Sequence, residues 1–294
     1  MNHALLLYGE YRTFETASKW MNIPRNIDVY VSTWDTSTES RVHWLEKKEN
    51  SILSDAEWEI KNLPQSHKAS DHYYQRYTTH INDINYSNFQ NLNPIHCHIA
   101  PSIAKWHNNT QNMIYHWKMG LEMIGNYFDK YTNIYIFRLD SIYHSSDFST
   151  HMNLWDNRGI IDLEENCLYS PNSIDNITDE TGNYFANDVY WFGQKETIQK
   201  FIQSLDIDKH YETHSSLGKL LGELVEANYL ELRQSHIGID IVRQGMVDFY
   251  NYYHEKWSKD NKTFQGHPFS RMKDYDELYE ACAIQDNWDN HVTS

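Results

Sequence analysis

The chain predicts an α/β fold: a mostly parallel central sheet flanked by helices, with one insertion. Three stretches carry that expectation. A short apolar strand, His3 to Tyr8, runs into Gly9; a helical segment, Thr13 to Met21, follows; and after Pro24 comes a second strand, Ile27 to Trp34. Strand, helix and strand at this spacing form a βαβ unit, whose crossover is right-handed and whose strands are parallel. The segment NIYIFRLDS, Asn133 to Ser141, is another apolar strand and stops at charged residues. NDVYWFG, Asn187 to Gly193, is a fourth apolar strand, ending in Gly, and leads directly into a helix from Lys195 to Leu205.

The remaining elements follow in order. From Asp35 to about Pro94 the pattern is charged, Asn-rich and aromatic by turns, with a helix expected near Ser54 to Asn62; this span reads as an insertion or lid-like region packed on the sheet. A brief strand, Ile95 to Ile99, and a longer helix, Thr110 to Tyr127, lead to Asn133. Beyond the turn-rich loop from Pro171 to Asn183, an amphipathic helix is expected over Tyr211 to Asn228, then one or two strands between Leu230 and Arg243. No internal repeat or low-complexity linker divides the chain. The expected organisation is one domain over residues 1–245, with the insertion at about 36–94 and a C-terminal extension over 246–294 packed on it.

Composition narrows the function classes. An apolar fraction of 40%, with 10 Trp and 22 Tyr, is enough to bury a core, and such aromatics also suit stacking against sugar rings. A net charge of -16 argues against a general nucleic-acid binder, whose affinity rests on Lys and Arg neutralising phosphates. Cys97, Cys167 and Cys282 are odd in number and widely spaced, with no C-x-x-C, and read as reduced thiols of a cytoplasmic protein. No run approaches the roughly 20 apolar residues of a membrane helix, and the N-terminal apolar run is too short for a signal peptide.

Four places could carry chemistry. Gly9 and Arg12 stand in the turn after the first strand, where a glycine lets a ligand approach the backbone and an Arg offers a fork of donors to a phosphate; a plain βα turn is the competing reading. Asp35 ends the second strand and either reaches a nucleotide's base or ribose or caps the following loop. Arg138 and Asp140 end the strand at Asn133, where Asp140 is a candidate ligand for Mg²⁺ or Mn²⁺ and Arg138 a partner for a diphosphate oxygen; a structural ion pair is equally open. Asp188, just before VYWFG, is placed to serve an acceptor hydroxyl as general base or merely to cap the strand. Among 17 histidines, none in a metal-binding motif, His236 is a further candidate metal ligand.

In their order along the chain, LLLYGEYRTFE, DVYVSTWD, QNMIYHWKMGLEM, IYIFRLDS, DVYWFGQKETIQKF and HSSLGKLLGEL resemble glycosyltransferases of the GT-A, nucleotide-diphosphosugar type. The likeness is to a group of bacterial surface-polysaccharide and virus-encoded transferases, and it spans roughly residues 4 to 225 outside the insertion. It implies a Rossmann-like GT-A sheet and transfer of a sugar from a nucleotide-diphosphate donor to a glycan or polysaccharide hydroxyl. Gly9, Arg12 and Asp35 would line the nucleotide site, and Arg138 and Asp140 would occupy the place of the family's D-x-D, whose last Asp binds the divalent cation. Two departures stand out. Arg138 replaces the first acid of D-x-D, and His214 is followed by Ser215 and Ser216 where relatives carry an acid. A non-catalytic carbohydrate-binding protein and a sugar nucleotidyltransferase are the alternative readings.

Overall fold

The computed structural model describes residues 2–21, 23, 27–40, 78–106, 108–145, 163–171, 190–209, 213–235, 237–241, 251, 254 and 255. Seven strands form the central sheet: β1 (Asn2–Gly9), β2 (Ile27–Trp34), β5 (His96–Ala100), β6 (Tyr131–Arg138), β8 (Cys167–Ser170), β9 (Tyr190–Gln194) and β10 (Glu231–Gln234), in the spatial order β10-β8-β9-β6-β1-β2-β5. β1 pairs in parallel with β2 and β6, β2 with β5, and β8 with β10. β9 runs against both β6 and β8, so the sheet is mixed. Two small antiparallel pairs lie outside it: β3 (Ser37–Ser40) with β4 (Thr78–Ile81), and β7 (Ser141–Ser145) with β11 (Ile237–Ile241).

The central strands are apolar on both sides because both faces of the sheet are covered. Leu5, Leu6 and Leu7 are consecutive and each is 1% exposed. Alternation sends Ala4, Leu6, Tyr8, Tyr30, Ile134, Ile136 and Trp191 to one face and Leu5, Leu7, Val29, Val31, Tyr135, Phe137 and Phe192 to the other. The first face is roofed by α2 (Asn109–Gly125), α3 (Lys195–Ser204) and α4 (Thr213–Glu226), through Ile114, Trp117, Phe201 and Leu221. The second receives Phe14 of α1 (Phe14–Trp20) and Phe89 of the 3-10 turn Tyr86–Leu92. Each fully buried Leu, Ile or Phe in these layers contributes about 1.5–3 kcal/mol.

Local chemistry sets the helix ends. Asn108 accepts a hydrogen bond from Thr110 N at 2.7 Å and so caps α2; Asn85 caps the 3-10 turn, its side chain accepting from Ser87 N and its own N–H donating to Asn88 Oδ1. Gly120 lets α2 lie close on β1, since a Cβ there would stand 2.1 Å from Leu6 Cδ2. The turn Tyr86–Leu92 falls within the span expected as an insertion, yet Phe89 is fully buried against Tyr11 and Phe14. The helix expected at Ser54 to Asn62 lies outside the described residues.

Two differences from the expected elements bear on the site. β6 ends at Arg138, the chain turns at Leu139 and Asp140, and Ser141 opens β7 instead of closing the same strand. The sheet also contains an antiparallel member, β9. Strand periodicity is the same in either direction, so residue pattern alone does not reveal it.

Candidate functional site

The sheet's order doubles back at β1. From β1 the chain steps outward through β2 to β5, and then α2 carries it back across the sheet to β6 on the other side of β1. The carboxyl ends of β1 and β6 therefore flank a topological switch point, the place where open α/β sheets bind ligands. Tyr8 pairs with Arg138, Gly9 with Thr33 and Trp34 with Ala100, so the ends of four parallel strands share one edge.

Gly9 closes β1 at φ 104°, in the left-handed region, and a Cβ there would meet nothing within 4 Å. Glycine is needed at this position for backbone conformation and not for space. Thr33 Oγ1 donates to Gly9 O at 2.6 Å, tying the end of β1 to β2. Three residues on, Arg12 also has a positive φ, 31°, unusual for a side chain of its size, and its N–H donates to Ser37 Oγ of β3 at 3.0 Å. The first turn of α1 uses its N–H groups internally: Phe14 N donates to Tyr11 O, and Thr16 N and Ala17 N to Thr13 O.

Arg12 reaches across the switch point. Its Nη1 donates to Asp140 Oδ2 at 3.2 Å, while Arg138 Nε donates to Asp140 Oδ1 and Arg138 Nη2 to Asp140 Oδ2, each at 2.9 Å. Asp140 is 2% exposed. Its carboxylate thus accepts three guanidinium N–H groups, one side in the parallel fork geometry that makes Arg–carboxylate pairs strong. Two guanidiniums against one carboxylate leave the group with one net positive charge, suited to an anion. Arg12 Nε is buried with no hydrogen-bond partner, as is Ser141 Oγ beside Asp140.

A divalent cation does not fit Asp140 as these residues are arranged. Both carboxylate oxygens already face guanidiniums, which cannot ligate a metal and which repel one. Among the described residues no three His, Cys, Asp or Glu side chains come together as a ligand group. Asp188 and His236, the expected base and second metal ligand, lie outside the described residues.

Asp35 sits at the same edge and works as a cap. Its Oδ1 accepts from Ser102 N at 2.7 Å, at the start of the 3-10 turn Ser102–Ala104, while its own N–H donates to Ala100 O. Lys105, on the same connection, pairs with Glu10 at 3.0 Å and donates to Thr36 O at 3.1 Å, lacing the segments after β1, β2 and β5 together. Ser37, Glu10 and Lys105 were not singled out in the sequence. Ser37 falls in the span read as an insertion, and nothing in the local pattern marks Lys105 or Glu10, which are distant from each other in the chain.

Behind this edge lies an aromatic layer. Trp34 stacks on Tyr115 with ring centroids 5.4 Å apart, Trp106 tilts against Tyr115, and His116 meets Trp34 edge-on at 4.6 Å. His116 Nδ1 shares a 2.8 Å hydrogen bond with Ser32 Oγ. Burial, then the nearby His98 and Lys105, push its pKa down to about 3, so the ring is neutral at ordinary pH.

No protein-family model matches the chain, and no curated protein sequence matches it significantly. Among the described residues no helix is long and apolar enough to cross a membrane.

Proposed function

We propose that the protein is a glycosyltransferase that moves a sugar from a nucleotide-diphosphate donor to a hydroxyl of a glycan or polysaccharide. The observation that carries this reading is the net-positive group Arg12, Arg138 and Asp140, assembled from two strand ends at the sheet's switch point. A nucleotide site on a strongly acidic protein needs local positive charge, and two guanidiniums against one carboxylate supply it. The ordered motifs from LLLYGEYR to HSSLGKLLGEL support the same class.

The chemistry asked of the site is modest. The bond between the sugar's anomeric carbon and the diphosphate oxygen breaks, its electron pair leaves with the diphosphate, and the acceptor oxygen forms a new bond to that carbon. Preorganised guanidinium donors stabilise the charge that develops on the leaving diphosphate. The acceptor's proton needs a base, for which Asp188 is the candidate in an inverting reaction.

The test is a thermal-shift screen of sugar nucleotides, followed by measurement of nucleoside diphosphate release with and without a glycan acceptor. A donor that raises Tm and is consumed with release of its nucleoside diphosphate supports the reading. Stabilisation by nucleoside triphosphates, with pyrophosphate released, would assign a nucleotidyltransferase instead. Binding of glycans with no response to any nucleotide would assign a carbohydrate-binding protein.

A further inference from the structure

We infer that Asp140 is a positioning residue and not a metal ligand: it holds Arg12 in place so that the Arg12 guanidinium binds the donor's diphosphate directly, without a divalent cation. This rests on the transferase reading for the identity of the anion; the binding mode rests on geometry.

Several observations point the same way. Asp140 is closed off as a ligand, since Arg138 takes both of its oxygens in a fork and Arg12 takes one of them again. Arg138 makes the two shorter contacts to it, at 2.9 Å each, and Arg12 the longer one, at 3.2 Å. The Arg12 and Arg138 side chains are 20% and 19% exposed against 3% for Asp140, so the guanidiniums and not the carboxylate meet solvent and ligand.

The backbone of Arg12 is held in a costly conformation. A φ of 31° is rarely adopted by a long side chain, and it is maintained by the bond from Arg12 N to Ser37 Oγ. Strain of this kind persists where the surroundings over-determine a residue, and it clusters at ligand sites. Arg12 Nε is also a buried donor with no partner, a state that a folded protein rarely leaves standing. An anion oxygen beside the guanidinium would satisfy it. Open space over Gly9, where a Cβ would touch nothing within 4 Å, leaves room at the end of β1 for such a ligand.

In the bound state, Arg12 offers charged N–H groups to the diphosphate while Asp140 and Arg138 fix its orientation. A lysine at position 12 keeps the charge but cannot both accept the Asp140 brace and present a fork. Asparagine at position 140 keeps the shape but loses the charge that holds two guanidiniums side by side.

The experiment titrates inorganic pyrophosphate and a panel of sugar nucleotides into the full chain by calorimetry, in EDTA and in Mn²⁺. Wild type is compared with Arg12→Lys, Ser37→Ala and Asp140→Asn, each first checked for an unchanged circular dichroism spectrum and cooperative melting. The expected result is binding of pyrophosphate and of a donor in EDTA, weakened ten-fold or more by Arg12→Lys and several-fold by Ser37→Ala and Asp140→Asn, with Mn²⁺ changing none of the ratios. Binding that requires Mn²⁺, and whose Mn²⁺ dependence disappears in Asp140→Asn, overturns the inference and leaves the transferase reading standing. Binding of pyrophosphate through Arg12 with no response to any sugar nucleotide keeps the anion site and removes the transferase reading. Failure of every anion to bind in both buffers removes both.

Discussion

Arg138 grips Asp140 two residues away through a pair of 2.9 Å hydrogen bonds, Nε to Oδ1 and Nη2 to Oδ2, across the turn that separates β6 from β7. The pair fixes the end of a central strand and buries a carboxylate in the same stroke. Its energetics are asymmetric: an ion pair removed whole costs little, but one partner removed leaves a buried charge.

Arg138→Ala therefore destabilises by about 2–4 kcal/mol, because Asp140 loses its two 2.9 Å hydrogen bonds. The double variant Arg138→Ala with Asp140→Ala should be more stable than Arg138→Ala alone, since the buried charge that had lost its fork is gone. Urea denaturation of the four proteins in the cycle reads this directly. A double variant less stable than either single one would mean that the pair acts through something other than charge balance.

How far the site could be read along the chain follows from the range of its contacts. Arg138 and Asp140 are near neighbours at the end of an apolar strand, so both the strand end and the ion pair were visible. Arg12 and Asp140 are 128 residues apart, and only the topology that sets β1 beside β6 brings them together. Asp35 shows the same limit. Its capping partner Ser102 belongs to a different strand end, 67 residues on, so the cap expected on its own following loop is made elsewhere.

The sheet was more legible than its directions. Runs such as Leu5, Leu6 and Leu7 declare strands covered on both faces, and β2 occupies the residues expected, Ile27–Trp34. The β6 to β7 boundary carries no glycine or proline, and an Asp in the turn is all that marks it. The chain beyond it reads on as though the strand continued.

Gly120 provides a packing test. Gly120→Ala gains helix propensity worth about 1 kcal/mol but drives a methyl into Leu6, whose Cγ would lie 2.8 Å away in a fully occupied core. Overpacking of this kind costs about 1–3 kcal/mol, so a net loss of up to about 2 kcal/mol is expected. Combining it with Leu6→Ala should give a loss smaller than the sum of the two, because each change relieves the other. Strict additivity in chemical denaturation would show that α2 shifts away from β1 instead.

His116 makes stability depend on pH. Its folded pKa of about 3 lies below the ordinary value of 6.5, so between those values the unfolded chain binds a proton that the folded ring refuses. The stabilisation is complete above pH 6.5 and is lost as pH falls, by about 1.4 kcal/mol per unit. Burial also lowers the pKa values of His3 and His98, which adds to the fall in the same window. His116→Gln keeps a polar atom near Ser32 and does not titrate. Its unfolding free energy should vary less steeply between pH 6.5 and 4.5, by about one proton, and a slope equal to that of wild type would exclude His116 as the source.

Asp35 separates two roles that one carboxylate could hold. As a cap it needs only an acceptor for Ser102 N, so Asp35→Asn should leave stability within about 0.5 kcal/mol of wild type, whereas Asp35→Ala should lose about 1 kcal/mol. As a nucleotide contact it would need its negative charge to accept from a ribose hydroxyl or a base N–H, and the amide is a poorer acceptor there. Measured side by side, Tm without ligand reports the cap and donor affinity reports the contact. An Asp35→Asn variant with normal Tm and donor affinity reduced several-fold would assign both roles. Normal values of both would leave Asp35 as the cap that joins β2 to the turn after β5, with the recognition of the nucleotide carried by other residues of this edge.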